Sequence, residues 1–140
     1  MNRPYFGTPQ EAEAAFYRAF SRHDLVAMMG VWADDDDVVC IHPGGQTVIG
    51  NEAIRKTWAE IFQNAPDMQF VVAEKQQSQN DSLAVHVVHE HIRTGGQLGR
   101  APILATNVYR RTETGWRMVL HHASPGSSDS PPPEKPQTLH

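Results

Sequence analysis

The chain has little with which to staple itself. Cys40 is the one cysteine among 140 residues, so no internal disulfide can form and the fold must rest on packing. Long apolar runs are missing too. No stretch reaches the roughly 18 residues of a membrane span, and the opening MNRPYFGTPQ lacks the apolar core of a signal peptide. These absences lead to the expectation of a soluble, cytoplasmic protein with no membrane partner. Positive charge is also short. Twelve Lys and Arg stand against 16 Asp and Glu, a formal charge of −4, which offers nucleic acid no basic surface.

What is present suits one folded domain. Hydrophobic residues make up 39% of the chain, enough for a core and too many for a disordered polymer. Residues 125–140, PGSSDSPPPEKPQTLH, hold five of the ten prolines and are expected to form a flexible Pro/Ser-rich tail after a domain spanning 1–124.

Thr8-Pro9-Gln10-Glu11 carries a helix-start signature: a capping residue, proline at the first helical position and glutamate at the third. Ala12, Ala15, Phe16, Ala19 and Phe20 follow at helical spacing, which predicts a helix over about residues 9–22. Asp24 caps a second, with Leu25, Met28, Met29 and Trp32 in one apolar stripe. Asp34 to Asp37 read as a solvated turn that stops it. Val38–His42 is a short strand, Pro43-Gly44-Gly45 a turn and Gln46–Ile49 the returning strand. Residues 51–63 predict a third helix with Ile54, Trp58, Ile61 and Phe62 on one face.

Beyond Pro66 the character changes. Strand-like runs cover about 68–78, 83–94, 103–112 and 116–124, broken at Asn80-Asp81, Gly95-Gly96 and Thr114-Gly115. Helices followed by a meander of long strands predict an α+β domain with helices on one face of a curved, mainly antiparallel sheet.

This order, and the local text in FSRHDLVAMMGVWADDDDVVCIHPGG, GNEAIRKTWAEIF and ATNVYRRTETGWRMVLHHAS, resembles the nuclear-transport-factor-2-like superfamily and within it the SnoaL-like and ketosteroid-isomerase-like proteins. The likeness covers about residues 8–124. It implies a cone-shaped, cystatin-like fold. It also implies a pocket for a small apolar molecule between the helices and the concave sheet face, and a homodimer formed through the sheet. No cofactor is implied. Two functions stay open: proton transfer of isomerase or cyclase type on an apolar carbonyl compound, and a non-catalytic ligand-binding or dimerisation module.

Periodicity cannot aim His42, because both faces of its strand are apolar. The resemblance aims it. In steroid-isomerase relatives the residue before this proline is the carboxylate base that points into the cone. A neutral imidazole near pH 7 can take a proton from carbon beside a carbonyl. A hydrogen-bonded wall residue is the plain alternative. The tyrosine position of the family's oxyanion hole falls on Phe16, which cannot donate, and Tyr17 is turned about 100° around the helix. The acid position falls on Asn107, whose amide can donate without a pKa shift.

The last strand presents His121 and His122 to opposite faces. His122 is taken as the pocket histidine because it alternates with Trp116, Met118, Leu120 and Ser124. The catalytic set is therefore His42, Asn107 and His122, and the expected lining is Phe16, Tyr17, Trp32, Cys40, Trp58, Phe62, Glu90 and Tyr109. In LAVHVVHEHIRT, His86 and Glu90 share one face, read as inward. His89 and His91 share the other, where H-x-H spacing alone does not make a metal site. No metal is expected. Cys40 is read as an inert core thiol, since an apolar strand raises its pKa.

Overall fold

Thr8 accepts a hydrogen bond from Glu11 N while the Glu11 carboxylate takes Thr8 N, a reciprocal cap that starts α1 (Pro9–Arg22). In this computed structural model, which describes residues 3–99 and 101–127, α1 ends at His23 in the left-handed conformation. Asp24 caps the short α2 (Leu25–Val31) through Ala27 N, and Trp32, fully buried, is the residue on which α2 stops. The Pro/Ser-rich stretch from residue 128 lies outside the described residues.

The hairpin of β1 (Val39–Ile41) and β2 (Thr47–Ile49) leads through Gly50 into α3 (Asn51–Asn64). Gly50 has φ 93°, a conformation strained for any residue with a Cβ, and its N–H donates to Val38 O. The meander follows: β3 (Met68–Gln79), β4 (Leu83–Thr94), β5 (Gln97–Leu98), β6 (Ile103–Thr112) and β7 (Gly115–Pro125). The short β5, which pairs with the end of β4, has no counterpart in the sequence reading because two residues carry no periodicity.

Sheet order is β2-β1-β7-β6-β4-β3. All pairings are antiparallel except β1 with β7. The helices pack on one face of this unclosed sheet, with α1 lying across β3, β6 and β7. The architecture is α+β, as the strand meander required.

Two bulges govern which side chains face the helices. Between β6 and β7 the register passes from Tyr109↔Met118 to Val108↔Leu120, leaving Val119 unpaired. Between β3 and β4 it passes from Glu74↔Val88 to Gln76↔Val87, leaving Lys75 unpaired. Each extra residue reverses the in-out alternation of its own strand but not of its partner, and bends the sheet.

The aromatic centre of the core is Phe16. Its ring meets Tyr17, Phe20, Trp58 and His121 at centroid distances of 4.9, 6.0, 5.7 and 4.9 Å. Away from this cluster, the buried Arg117 guanidinium donates to Gly30 O, Pro4 O and Thr114 O and holds the N-terminal segment against β7. Replacing Phe16 with alanine leaves a cavity shared by α1, α3 and β7. Urea unfolding followed by tryptophan fluorescence should show a loss of about 3–5 kcal/mol, and a loss under about 1 kcal/mol would remove Phe16 from the centre of the core.

Candidate functional site

β4 and β6 pair without irregularity, so their alternation can be read directly. His86 lies opposite Asn107, Ala84 opposite Tyr109 and Val88 opposite Ala105. Cross-strand partners share a face, and this face is covered by α1. His86, Asn107 and Tyr109 are fully buried, and Glu90 is 2% exposed. Val87, His89 and His91 take the other face.

On α1, Glu13 and Tyr17 are one turn apart and reach down onto this strip. Tyr17 Oη donates to Glu90 Oε2 at 2.6 Å. Asn107 Nδ2 donates to Glu13 Oε1 and to Tyr17 Oη, both at 3.1 Å, and Tyr109 Oη donates to Glu13 Oε1 at 3.1 Å. With its amide nitrogen committed to a carboxylate, Asn107 must present Oδ1 to His121 Nδ1, 2.6 Å away. His121 therefore carries its proton on Nδ1. The hydrogen bonds run in one direction, from His121 through Asn107 and Tyr17 to Glu90.

Charge on this strip follows burial. Desolvation pushes the Glu90 carboxyl up to about 7, with the nearby Glu13 charge adding to the rise against the Tyr17 hydrogen bond. Desolvation pushes His121 down to about 3, so it is neutral at pH 7. Burial alone would raise Glu13, but the His86 and Asn107 contacts and the neighbouring Glu74 hold it below its ordinary value. Burial, together with Glu13, pushes Glu74 up to about 8.

His42 stands at the β1 end of the same face. Cys40 pairs with His121 in the parallel β1–β7 ladder, and His42 shares the side of Cys40. Its half-buried ring packs edge-on against Trp58, centroids 5.4 Å apart, and Nε2 lies 3.6 Å from Cys40 Sγ. Desolvation lowers its pKa, so at pH 7 it is a neutral base. The same burial pushes the Cys40 thiol up to about 12, which leaves no thiolate to act as a nucleophile.

One orientation expected from the sequence needs correction. His122 points outward and is exposed, while His121 is 1% exposed and faces α1. The Val119 bulge is the reason: strict alternation from Met118 counts one residue too few. Tyr17, expected among the lining residues though about 100° around the helix from Phe16, carries the phenol that Phe16 lacks. α1 presents Phe16 toward β7 and Tyr17 toward β4 and β6, so neighbouring residues serve neighbouring strands. Trp32 is buried in the same core as Phe16 and Trp58, and its backbone meets Met118 through an isolated bridge. Phe16, Tyr17, Cys40, Trp58, Glu90 and Tyr109 all lie between helices and sheet, with Phe62 half-buried against Trp58.

Glu13, Glu74 and His121 went unread as site residues. For Glu13 a signal existed: it precedes Tyr17 by four residues on the flank of the apolar stripe. Glu74 gave none, because the Lys75 bulge disturbs its strand. Clefts of about 400, 510 and 220 Å³ open elsewhere, beside Arg110 and Arg117, beside Arg93 and Gly95, and beside Phe6 and Ala19. None of these three is lined by His42, Asn107 or Glu90.

Known proteins share this frame. A solved candidate calcium/calmodulin-dependent protein kinase type II association domain from Thiobacillus denitrificans is 42% identical, with TM-score 0.84 over 89% of this chain and 99% of that one. A candidate dehydratase of the NTF2-like family from Streptomyces avermitilis is 33% identical, with TM-score 0.75 over 84% and 92%. A ketosteroid isomerase-like protein from Erwinia carotovora shares the fold at 20% identity and TM-score 0.66, over 87% and 94%. The F-box protein SKIP8 of Arabidopsis thaliana is 25% identical over 125 residues, and the chain spans about half the length of that curated relative (52%). The SnoaL-like domain model matches residues 10–128, most of the chain, and the protein belongs to that family.

Proposed function

We propose that the protein binds a small apolar carbonyl compound against the inner sheet face and moves a proton on it. His42 serves as the base and Tyr17 as the hydrogen-bond donor, while Asn107, whose two amide protons go to Glu13 and Tyr17, holds the phenol in place. The observation that carries this reading is the pairing on one face of a neutral, half-exposed imidazole with a buried carboxyl whose pKa lies about 7. Acid–base catalysis works best when the groups titrate near the operating pH. When Glu90 is protonated its carboxyl can donate to Tyr17 Oη, which frees the phenol proton for the substrate oxygen on which charge develops, and neutral His121 keeps Asn107 oriented. Metal and redox chemistry are not required by this scheme.

A second reading rests on a different observation. The outer sheet face carries half-buried Val85, Val87, Leu104, Val108 and Leu120, and a relative of 42% identity is described as an association domain. A non-catalytic module that pairs with a second copy through this face fits both. Pairing through the outer face is compatible with an active interior, so in either reading the protein is proposed to be a homodimer. Sedimentation velocity should give twice the chain mass and, for Val87→Glu, the single-chain mass. A wild-type monomer at micromolar concentration would end the dimer proposal.

Deuterium exchange at the α-carbon of an activated cyclic ketone, followed by NMR, tests the catalytic reading. His42→Ala should slow exchange by at least about a hundredfold with an unchanged melting curve. Wild-type exchange should rise with pH as the imidazole loses its proton and level off by neutrality. Undiminished exchange in His42→Ala, or none in the wild type, would leave only the non-catalytic reading.

The Glu90 carboxyl makes a separate prediction. Its folded pKa of about 7 lies above the ordinary 4.5, so between these values the folded state binds more protons. Stability from this group is complete below pH 4.5 and is lost as pH rises through 7. Relative to Glu90→Gln, which keeps an acceptor for Tyr17, the wild type should weaken by up to about 3 kcal/mol between pH 5 and 8. Parallel stability curves from urea titrations would show that Glu90 does not titrate there.

A further inference from the structure

We propose that Glu13, Glu74 and His86 form a binding site for a divalent transition-metal ion, zinc being the best match to the donor set. The three residues come from α1, β3 and β4, and one ligand atom of each lies within 4.8 Å of the others. His86 Nδ1 is 3.1 Å from Glu13 Oε2. This site lies at the β3 end of the strip, across Asn107 from His42, and is separate from the proposed base.

His86 is completely buried; its Nδ1 faces Glu13 Oε2 at 3.1 Å without well-formed hydrogen-bond geometry, and its Nε2 has no partner. Neither carboxylate oxygen of Glu74 makes a well-formed hydrogen bond, although Glu13 and Gln77 lie close to it. Buried polar atoms are nearly always satisfied, and leaving several unpaired at one point is costly. Two carboxylates brought together also repel. A divalent cation answers both difficulties: it takes up the poorly satisfied lone pairs and lets the two carboxyl groups ionise side by side.

Glu13 is already oriented for this task. Asn107 and Tyr109 both donate to Oε1, which leaves Oε2 turned toward His86. Hydrogen bonds of this kind, one shell out from the ion, fix ligands in metal sites. The Lys75 bulge performs the same service on β3 by bringing Glu74 opposite Val88, onto the inner face.

One imidazole nitrogen and two carboxylate oxygens suit zinc or manganese. Calcium asks for six to eight oxygens. Tetrahedral zinc needs ligand atoms roughly 3–3.5 Å apart. The Glu13–His86 pair has that spacing, and Glu74 is partly exposed with a side chain long enough to swing in. Its exposure also gives an ion a route from solvent. Three protein ligands leave a fourth position for water, as in open zinc sites. The H-x-H pair His89 and His91 lies on the opposite face, with ring centroids 6.4 Å apart, and takes no part.

The full chain, stripped with EDTA, is titrated with zinc chloride and separately with manganese chloride. Calorimetry and thermal melting are the readouts. Wild type and His89→Ala/His91→Ala should each bind one ion per chain and melt several degrees higher, reversibly with EDTA. Glu74→Gln should lose both effects. Imidazole ¹⁵N resonances of the wild type give a readout that needs no variant: the His86 signals should shift on zinc addition. Failure of both ions to raise the wild-type melt, retention of the effect in Glu74→Gln, its loss in the outer-face variant, or an unmoved His86 resonance would each overturn the site.

Discussion

A carboxylate buried between a helix and a sheet is the constraint around which this molecule is arranged. Glu13 is 4% exposed and cannot stay charged there without partners. Asn107 and Tyr109 from β6 and His86 from β4 meet it, and their combined attraction holds its pKa below the ordinary value despite burial. These contacts fix the rotation of α1 about its axis. Once Glu13 points at β6, Tyr17 falls on Glu90 and Phe16 falls on His121. The polar strip and the aromatic core are two consequences of a single helix orientation.

The two faces of the sheet differ in chemical character. The inner face concentrates groups that carry protons: His42, His121, Glu90, Tyr17 and, nearer β3, Glu74 and His86. Low dielectric there moves Glu90 toward neutrality and His121 far below it. The outer face carries half-buried aliphatic side chains with the His89–His91 pair among them. The proposed proton transfer and the proposed pairing of two copies would therefore use different side chains of the same strands.

Bulges explain where a reading of alternation succeeds and where it stops. Along β4 and β6 the alternation is regular, and the inward set His86, Glu90, Asn107 and Tyr109 is legible in LAVHVVHEHIRT and ATNVYRR. Along β7 the extra Val119 exchanges the roles of His121 and His122, and along β3 the extra Lys75 obscures Glu74. A bulge costs a strand one residue of register and leaves no periodic trace in a segment this short. Nothing in LHHAS alone could have chosen between two adjacent histidines.

The sequence by itself determined the helices and the long strands, because caps, turn residues and apolar spacing are local and act within a few residues. Pro9–Arg22, Leu83–Thr94 and Ile103–Thr112 needed no tertiary information. It also determined the family, through an order of elements that few folds share. Tertiary structure alone decided that Glu13 and Glu74 are buried together, that Tyr17 reaches Glu90, and that His121 is the inward histidine. Those outcomes depend on contacts between residues as far as 96 positions apart and on where a strand takes up one surplus residue. Such long-range packing leaves no mark on local sequence.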